Sequence, residues 1–216
     1  MTLIELVVAA TDPLEADEAL FVRLLTRVTS TRRDYIMRYR QPSDRCRSLA
    51  ATLALDHLLA AHGVTLRDCA IERGANGKPF LKDRPDLHFN MSHSGRYGVA
   101  ALAAVPVGVD VERTARFRLE VAKYFLRQDE IDRLLTLAEG RQRDRRFTEL
   151  WTRWEARHKL TGKGLAAARR DYAATGGNEP PLFFSERWLD DEHHLTLACD
   201  VDPDDCRVET EKLHFE

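Results

Sequence analysis

The chain has 216 residues, 44% of them hydrophobic, enough to bury a substantial core as one large domain or two small ones. Its 33 lysines and arginines nearly balance 35 aspartates and glutamates, and the net charge of −2 excludes whole-surface attraction to nucleic acid or anionic membrane. Four cysteines, Cys46, Cys69, Cys199 and Cys206, show neither a CxxC pair nor a metal-ligand spacing, which predicts reduced thiols in a cytoplasmic protein.

Residues 3–9 read as a first strand. The run is interrupted by Glu5 and has no basic leader, so no export signal is expected. The longest apolar stretch, 99–109, is too short to span a bilayer and contains Pro106. After the Asp12-Pro13 start signal, 15–26 has the apolar spacing of an amphipathic helix. Ser43 opens a stronger one, in which Cys46, Leu49, Ala50, Leu53, Leu58 and Leu59 recur near helical period until His62-Gly63. Between 68 and 111 short strand-like runs are separated by turn residues at Asn76-Gly77, Pro85-Asp86 and Ser94-Gly95, which predicts a small sheet. Helical spacing returns over 119–137 and 141–160, followed by strands near 182–189, 193–200 and 207–214. The order strand, helices, strands thus occurs twice. We expect an α+β protein of two similar halves, 1–106 and 107–216, with a cleft between them; one continuous α+β domain is the alternative.

In Val107-Gly108-Val109-Asp110-Val111-Glu112, alternating valines mark a strand with one apolar face, and Asp110 and Glu112 point together off the other. Two like charges side by side repel unless a cation or water separates them. A hard metal such as Mg²⁺, held by carboxylates and phosphate oxygens, is a natural occupant; solvated acids on a strand edge are the alternative. A third acid, Glu155, flanks the apolar stripe of Phe147, Leu150, Trp151, Trp154 and His158 on the helical run 147–160. Lys159 follows one turn later, as a site residue or as an ordinary i,i+4 surface pair. The stripe assigns Trp154 to packing against the sheet of the second half, so its loss should destabilise the fold, whereas loss of Lys159 should leave stability intact.

Next comes Thr161-Gly162-Lys163-Gly164-Leu165, where glycines let backbone approach a ligand and Lys163 adds a charge, or where a glycine simply caps the helix. In His88-Phe89-Asn90-Met91-Ser92-His93-Ser94-Gly95 a strand end meets a tight turn. Adjacent strand residues point to opposite faces, which disfavours Ser92 and His93 as nucleophile and base and favours anion contact or turn structure. Arg47-Ser48 and Gly77-Lys78-Pro79 add groups suited to phosphate. His193 and His194 are read as strand residues rather than metal ligands.

Taken together, Gly77-Lys78-Pro79, 89–95, 108–112 and 151–165 resemble, in order and spacing, the surfactin-synthetase-activating (Sfp-like) group of 4'-phosphopantetheinyl transferases. The resemblance implies a pseudo-twofold α+β monomer with coenzyme A in the cleft, and transfer of phosphopantetheine to a serine of an apo acyl or peptidyl carrier protein with release of 3',5'-ADP. It implies Mg²⁺, or Mn²⁺, on Asp110, Glu112 and Glu155. It places Arg47, Ser48, Lys78, Ser92 and His93 at the nucleotide end of coenzyme A, with Lys163 an added cation, and makes Glu155 the candidate base and Lys159 the contact to the reacting phosphate. Trp154 stands where many members carry lysine. The basic segment 113–127 sets Arg113, Arg116, Arg118, Lys123 and Arg127 against Glu120, and with Phe117 and Leu119 it is the expected contact for an acidic carrier. A coenzyme A or nucleotide-binding module without transfer activity is the rival reading.

Overall fold

The computed structural model describes residues 1–74, 77–162 and 182–215. The first half runs β1 (Thr2–Ala10), α1 (Asp12–Ala16), α2 (Glu18–Leu25), α3 (Ser30–Met37), α4 (Pro42–Ala61), β2 (Ile71–Arg73), β3 (Pro79–Leu81), β4 (His88–Ser94) and β5 (Tyr97–Ala103). The second runs β6 (Val107–Arg113), α5 (Leu119–Phe125), α6 (Gln128–Thr136), α7 (Arg141–Thr161), β7 (Phe183–Trp188) and β8 (His193–Cys199), and β9 (Cys206–Leu213) closes the chain.

The repetition expected from element order is present in the strand pairing. In the first half β5 lies antiparallel between β4 and β1; in the second, β8 lies antiparallel between β7 and β6. One long helix covers each sheet, α4 over β5 and β1, α7 over β6 and β8. Elements β1, α4, β4 and β5 thus correspond to β6, α7, β7 and β8, and the molecule is α+β. Strand β9, which lies beyond the expected division at 106/107, crosses back and pairs parallel with β1, Thr2 opposite Cys206 through Ala9 opposite Leu213.

Period-two alternation explains how the halves meet. Ile4, Leu6, Val8, Val99, Ala101 and Ala103 of one sheet pack against Val107, Val109, Val111, Leu195 and Leu197 of the other in one apolar layer. The opposite face of the first sheet, including Val7, Ala9, Ala100 and Leu102, packs on Leu49, Leu53 and the rest of the α4 face. Helix α7 approaches β6 so closely that a β-carbon at Gly108 would stand 2.0 Å from the Ala156 carbonyl and 2.4 Å from the Leu160 nitrogen. Only glycine fits there.

Three local expectations change. The helix over 15–26 is two helices, because Asp17 is extended and its carboxylate accepts from the amides of Ala19 and Leu20 to start α2. Helix α3, with Thr29 as its N-cap, has weak amphipathic spacing and is not anticipated. Trp154 packs not on the sheet but in the helical layer, against Phe125 at 5.3 Å, Trp151 at 5.6 Å and His158 at 4.1 Å between ring centres. The sheet-facing side of α7 belongs to Thr148, Thr152 and Ala156, all fully buried. No helix among the described residues is long and apolar enough to cross a membrane.

Candidate active site

Strands β4 and β6 each end their sheet, and side chains rather than a backbone ladder join them. Asn90, Ser92 and Ser94 share one face of β4, and each meets β6: the Val109 amide donates to Asn90 Oδ1 at 2.9 Å, Ser92 Oγ donates to Asp110 Oδ1 at 2.8 Å, and Ser94 Oγ donates to Glu112 Oε2 at 2.7 Å. The acid pair of β6 is therefore fixed from the other half of the molecule. Helix α7 completes the group. Lys159 Nζ donates to Asp110 Oδ1 at 2.7 Å and to Ser92 Oγ at 2.8 Å. Its partner is thus the strand acid, not Glu155 one turn earlier, so the simple i,i+4 reading of Lys159 is replaced by a cross-element ion pair.

The three acids feel one another. Burial raises the Asp110 carboxyl above its ordinary value against the opposing pull of Lys159 and Ser92. Glu112 is raised by burial and then by the Asp110 charge, with the Ser94 hydroxyl and the Trp151 indole acting the other way. Glu155 is pushed up to about 7 by burial, then by Asp110, with Glu112 adding to the shift. Asp110 is 2% exposed, and its Oδ2 is buried without a hydrogen-bond partner among the described residues. An orphaned carboxylate oxygen among three mutually repelling acids is the electrostatic setting a hard cation relieves, and the all-oxygen donor set suits Mg²⁺. The carboxylates are not drawn onto one point: among the described residues no three such groups stand in ligand geometry.

A second, positive cluster lies on the other face of β4. His93 is depressed to about 4, first by burial and then by Arg47, Lys159 and Arg32. A neutral imidazole amid three cations suits an anion. Arg47 donates to the Gly95 carbonyl at 3.1 Å and pairs with Asp44. Ser48 is buried and accepts from Arg32 Nη2 at 3.3 Å, while Arg32 Nε donates to Thr52 Oγ1 at 2.8 Å.

Lys78 stands apart from both clusters. Its Nζ donates to the carbonyls of Leu160 at 2.8 Å and Val107 at 3.0 Å, and burial lowers it to about 8. It satisfies a carbonyl at the C-terminal end of α7 and ties the β2–β3 hairpin to the second half. Lys163 and Asn76 lie outside the described residues.

In the basic segment, Arg113 pairs with Glu192 at 2.9 Å, and Arg116 and Arg118 are exposed. Phe117 and Leu119 are half-buried against the helical layer, with the Phe117 ring edge-on to Phe147 at 5.5 Å. The exposed apolar side chains are Val121 and Tyr124 of α5. Site residues missed in the sequence are Ser94, Asn90 and Trp151. Ser94 was within reach, since it shares a strand face with Ser92.

Two family models match consecutive parts of the chain: "4'-phosphopantetheinyl transferase, N-terminal" over residues 13–106 and "4'-phosphopantetheinyl transferase superfamily" over 106–197. The chain is 34% identical over 138 residues to the 4'-phosphopantetheinyl transferase psf-1 of Bacillus pumilus, covering 63% of this chain and 59% of that protein. It is 32% identical over 145 residues to the 4'-phosphopantetheinyl transferase Sfp of Bacillus subtilis (strain 168), covering 67% and 64%. A further 4'-phosphopantetheinyl transferase of Bacillus subtilis is 29% identical over 208 residues, 90% of each chain. The matches thus span about three fifths of the length of the first two relatives.

Proposed function

The chain belongs to the 4'-phosphopantetheinyl transferase superfamily, and from that premise we propose that it transfers the phosphopantetheine arm of coenzyme A to a serine of an apo acyl or peptidyl carrier protein, releasing 3',5'-ADP. The observation that carries this reading is the meeting of Asp110, Glu112, Glu155 and Lys159 where the two halves join. Asp110, Glu112 and Glu155 would hold Mg²⁺, or Mn²⁺, on the pyrophosphate; bound there, it neutralises phosphate charge.

The reaction forms a bond between the carrier serine oxygen and the β-phosphorus and breaks the bond from that phosphorus to the bridging oxygen. Glu155, the acid contributed by α7, accepts the serine proton. Among the described residues Lys159 has two of its three ammonium donors engaged, on Ser92 and Asp110, leaving the third to meet the charge that grows on the departing oxygen. His93, Arg47, Ser48 and Arg32 form the pocket for the 3'-phosphate, and Ser92 contacts the pyrophosphate side. In this reading Lys78 serves the nucleotide end mainly by holding the end of α7, and Lys163 is kept as an added cation.

An acidic carrier meets Arg113, Arg116 and Arg118, with Phe117 and Leu119 buttressing the segment and Val121 and Tyr124 offering apolar contact. The single-chain pseudodimer acts as a monomer in the cytoplasm. Chromatography of nucleotide products separates this reading from its rivals. A transferase releases 3',5'-ADP only when an apo carrier is present, a pyrophosphate hydrolase releases it without one, and a binding module releases none.

A further inference from the structure

A buried histidine of the second half grips the turn that carries the Ser92–His93–Ser94 segment. Strands β4 and β5 are joined by a two-residue hairpin, Ser94 opposite Tyr97, with Gly95 at φ 56° in its first central position. That is the arrangement of a type II' turn, which asks for glycine there. A β-carbon on Gly95 would lie 1.9 Å from His193 Nε2, so the imidazole fills the space a side chain would take.

His193 is 3% exposed and its ring is fixed on every side. Its Nδ1 lies 2.9 and 3.0 Å from the two Asp190 oxygens, and Tyr97 stands edge-on at 5.0 Å. Asp190 is itself held by the amides of Glu192 and His193, each at 2.8 Å. A carboxylate on Nδ1 assigns the proton to that nitrogen and leaves Nε2 as a lone-pair acceptor. The Arg96 amide points at that lone pair at 3.4 Å. From the first half, Arg47 donates to the Gly95 carbonyl at 3.1 Å and the Thr11 amide to the Arg96 carbonyl at 2.9 Å.

We propose that the Asp190–His193 pair is a positioning device for the active site: by holding the Gly95-Arg96 turn across the junction of the halves, it sets Ser92 and Ser94 against Asp110 and Glu112 and His93 in the positive cluster on the other face of β4. The functional part of this inference rests on the proposed transferase reading. The clamp itself does not. Among the described residues no hydrogen bond or ion pair joins the His193 side chain to the acids or to Lys159; its ring bonds Asp190 and the Arg96 amide of the turn.

The variant His193→Phe keeps the ring and removes both nitrogens, while His193→Gln restores an acceptor near the position of Nε2. Hydrogen exchange of a peptide spanning 93–98 reads the clamp, and the Michaelis constants read its service to the site. We expect His193→Phe to raise exchange at Arg96 about threefold to fivefold, since the turn loses one long hydrogen bond. It should raise the KM for coenzyme A by a similar factor, leave the KM for the carrier within twofold, and be largely rescued in His193→Gln. If His193→Phe does not fold, Asp190→Asn, which keeps the side-chain shape and removes the charge that fixes the tautomer, should move the same two readouts in the same direction. Unchanged exchange in a folded variant overturns the clamp. Faster exchange with an unchanged KM for coenzyme A, or equal rises in both Michaelis constants, overturns the positioning role. If the wild-type chain modifies no carrier, the transferase reading fails while the exchange measurement still decides the clamp.

Discussion

Replacing Lys159 by methionine removes the ammonium and keeps most of the stem, so it isolates the charge. The change leaves Asp110, 2% exposed, with Ser92 as its remaining side-chain partner among the described residues. Breaking a buried ion pair by removing one member costs about 3–5 kcal/mol. The Lys159 side chain is 28% exposed, so water softens the loss and the lower end, about 3 kcal/mol, applies. For a chain of this size that is a fall in melting temperature of roughly 6–12 °C. The expectation that Lys159 could be lost without cost to the fold is therefore revised by the pairing in the structure. The penalty depends on pH. Asp110 is already raised by burial, and without its cation it is raised further, so it contributes stability at low pH that is lost as pH rises through its folded value. Lys159→Met should accordingly be less destabilised at pH 5 than at pH 8. The double variant Asp110→Asn/Lys159→Met, with no buried charge to strand, should recover at least half of the lost melting temperature. Calorimetry of the wild type, the single variants Lys159→Met and Asp110→Asn, and the double variant decides this. A single variant that melts like wild type, or a double variant in which the two losses add, would refute the reasoning.

Magnesium at 10 Kd should raise the melting temperature of the wild type by about 3–6 °C, from roughly 1.4 kcal/mol of linkage, with no rise in Glu155→Gln; an equal rise in both would remove Glu155 from the ligand set. His194 is buried, bonded to Thr152 Oγ1 at 2.7 Å, and depressed to about 4 by burial. Because the unfolded chain takes up that proton near 6.5, stability is lost as pH falls between these values, about 2 kcal/mol by pH 5. Urea midpoints should therefore fall less for His194→Asn than for wild type between pH 7.5 and 5, and parallel falls would exclude His194 as a source. Trp154→Ala should destabilise by about 3–5 kcal/mol, since the indole is enclosed by Phe125, Trp151 and His158; a near-normal melt with weakened coenzyme A binding would place the ring in the ligand site instead.

What the sequence made legible was whatever short-range periodicity encodes. The valine alternation placed Asp110 and Glu112 on one face of β6, and the 3.6 period placed Glu155 and Lys159 on one helix. The repeat of strand, helices and strands was visible for the same reason. What local pattern cannot encode is the partner of an element. Nothing in 206–213 says that β9 pairs with β1 of the other half, because a parallel partner is chosen by the finished sheet. Lys159 could be placed near Glu155 by helical arithmetic, yet its bond is to Asp110, 49 positions away. Lys78 read as a phosphate contact because a lysine beside glycine suggests one, and only the tertiary structure brings it to the carbonyls of Val107 and Leu160. Likewise α7 showed one apolar stripe, while Thr148, Thr152 and Ala156 on its second buried face carry too little hydrophobic signal to reveal the sheet beneath.

The central claim is transfer to a carrier, and intact mass of the carrier tests it most directly. Apo carriers of the fatty-acid, polyketide and peptide-synthetase types are incubated with the wild-type chain, coenzyme A and Mg²⁺, beside parallel samples with chelator or with Glu155→Gln. The account predicts that at least one carrier gains the mass of a single phosphopantetheine in the complete mixture, and that it gains none with chelator or with the variant. No mass gain on any carrier, or an equal gain in the presence of chelator, would contradict it.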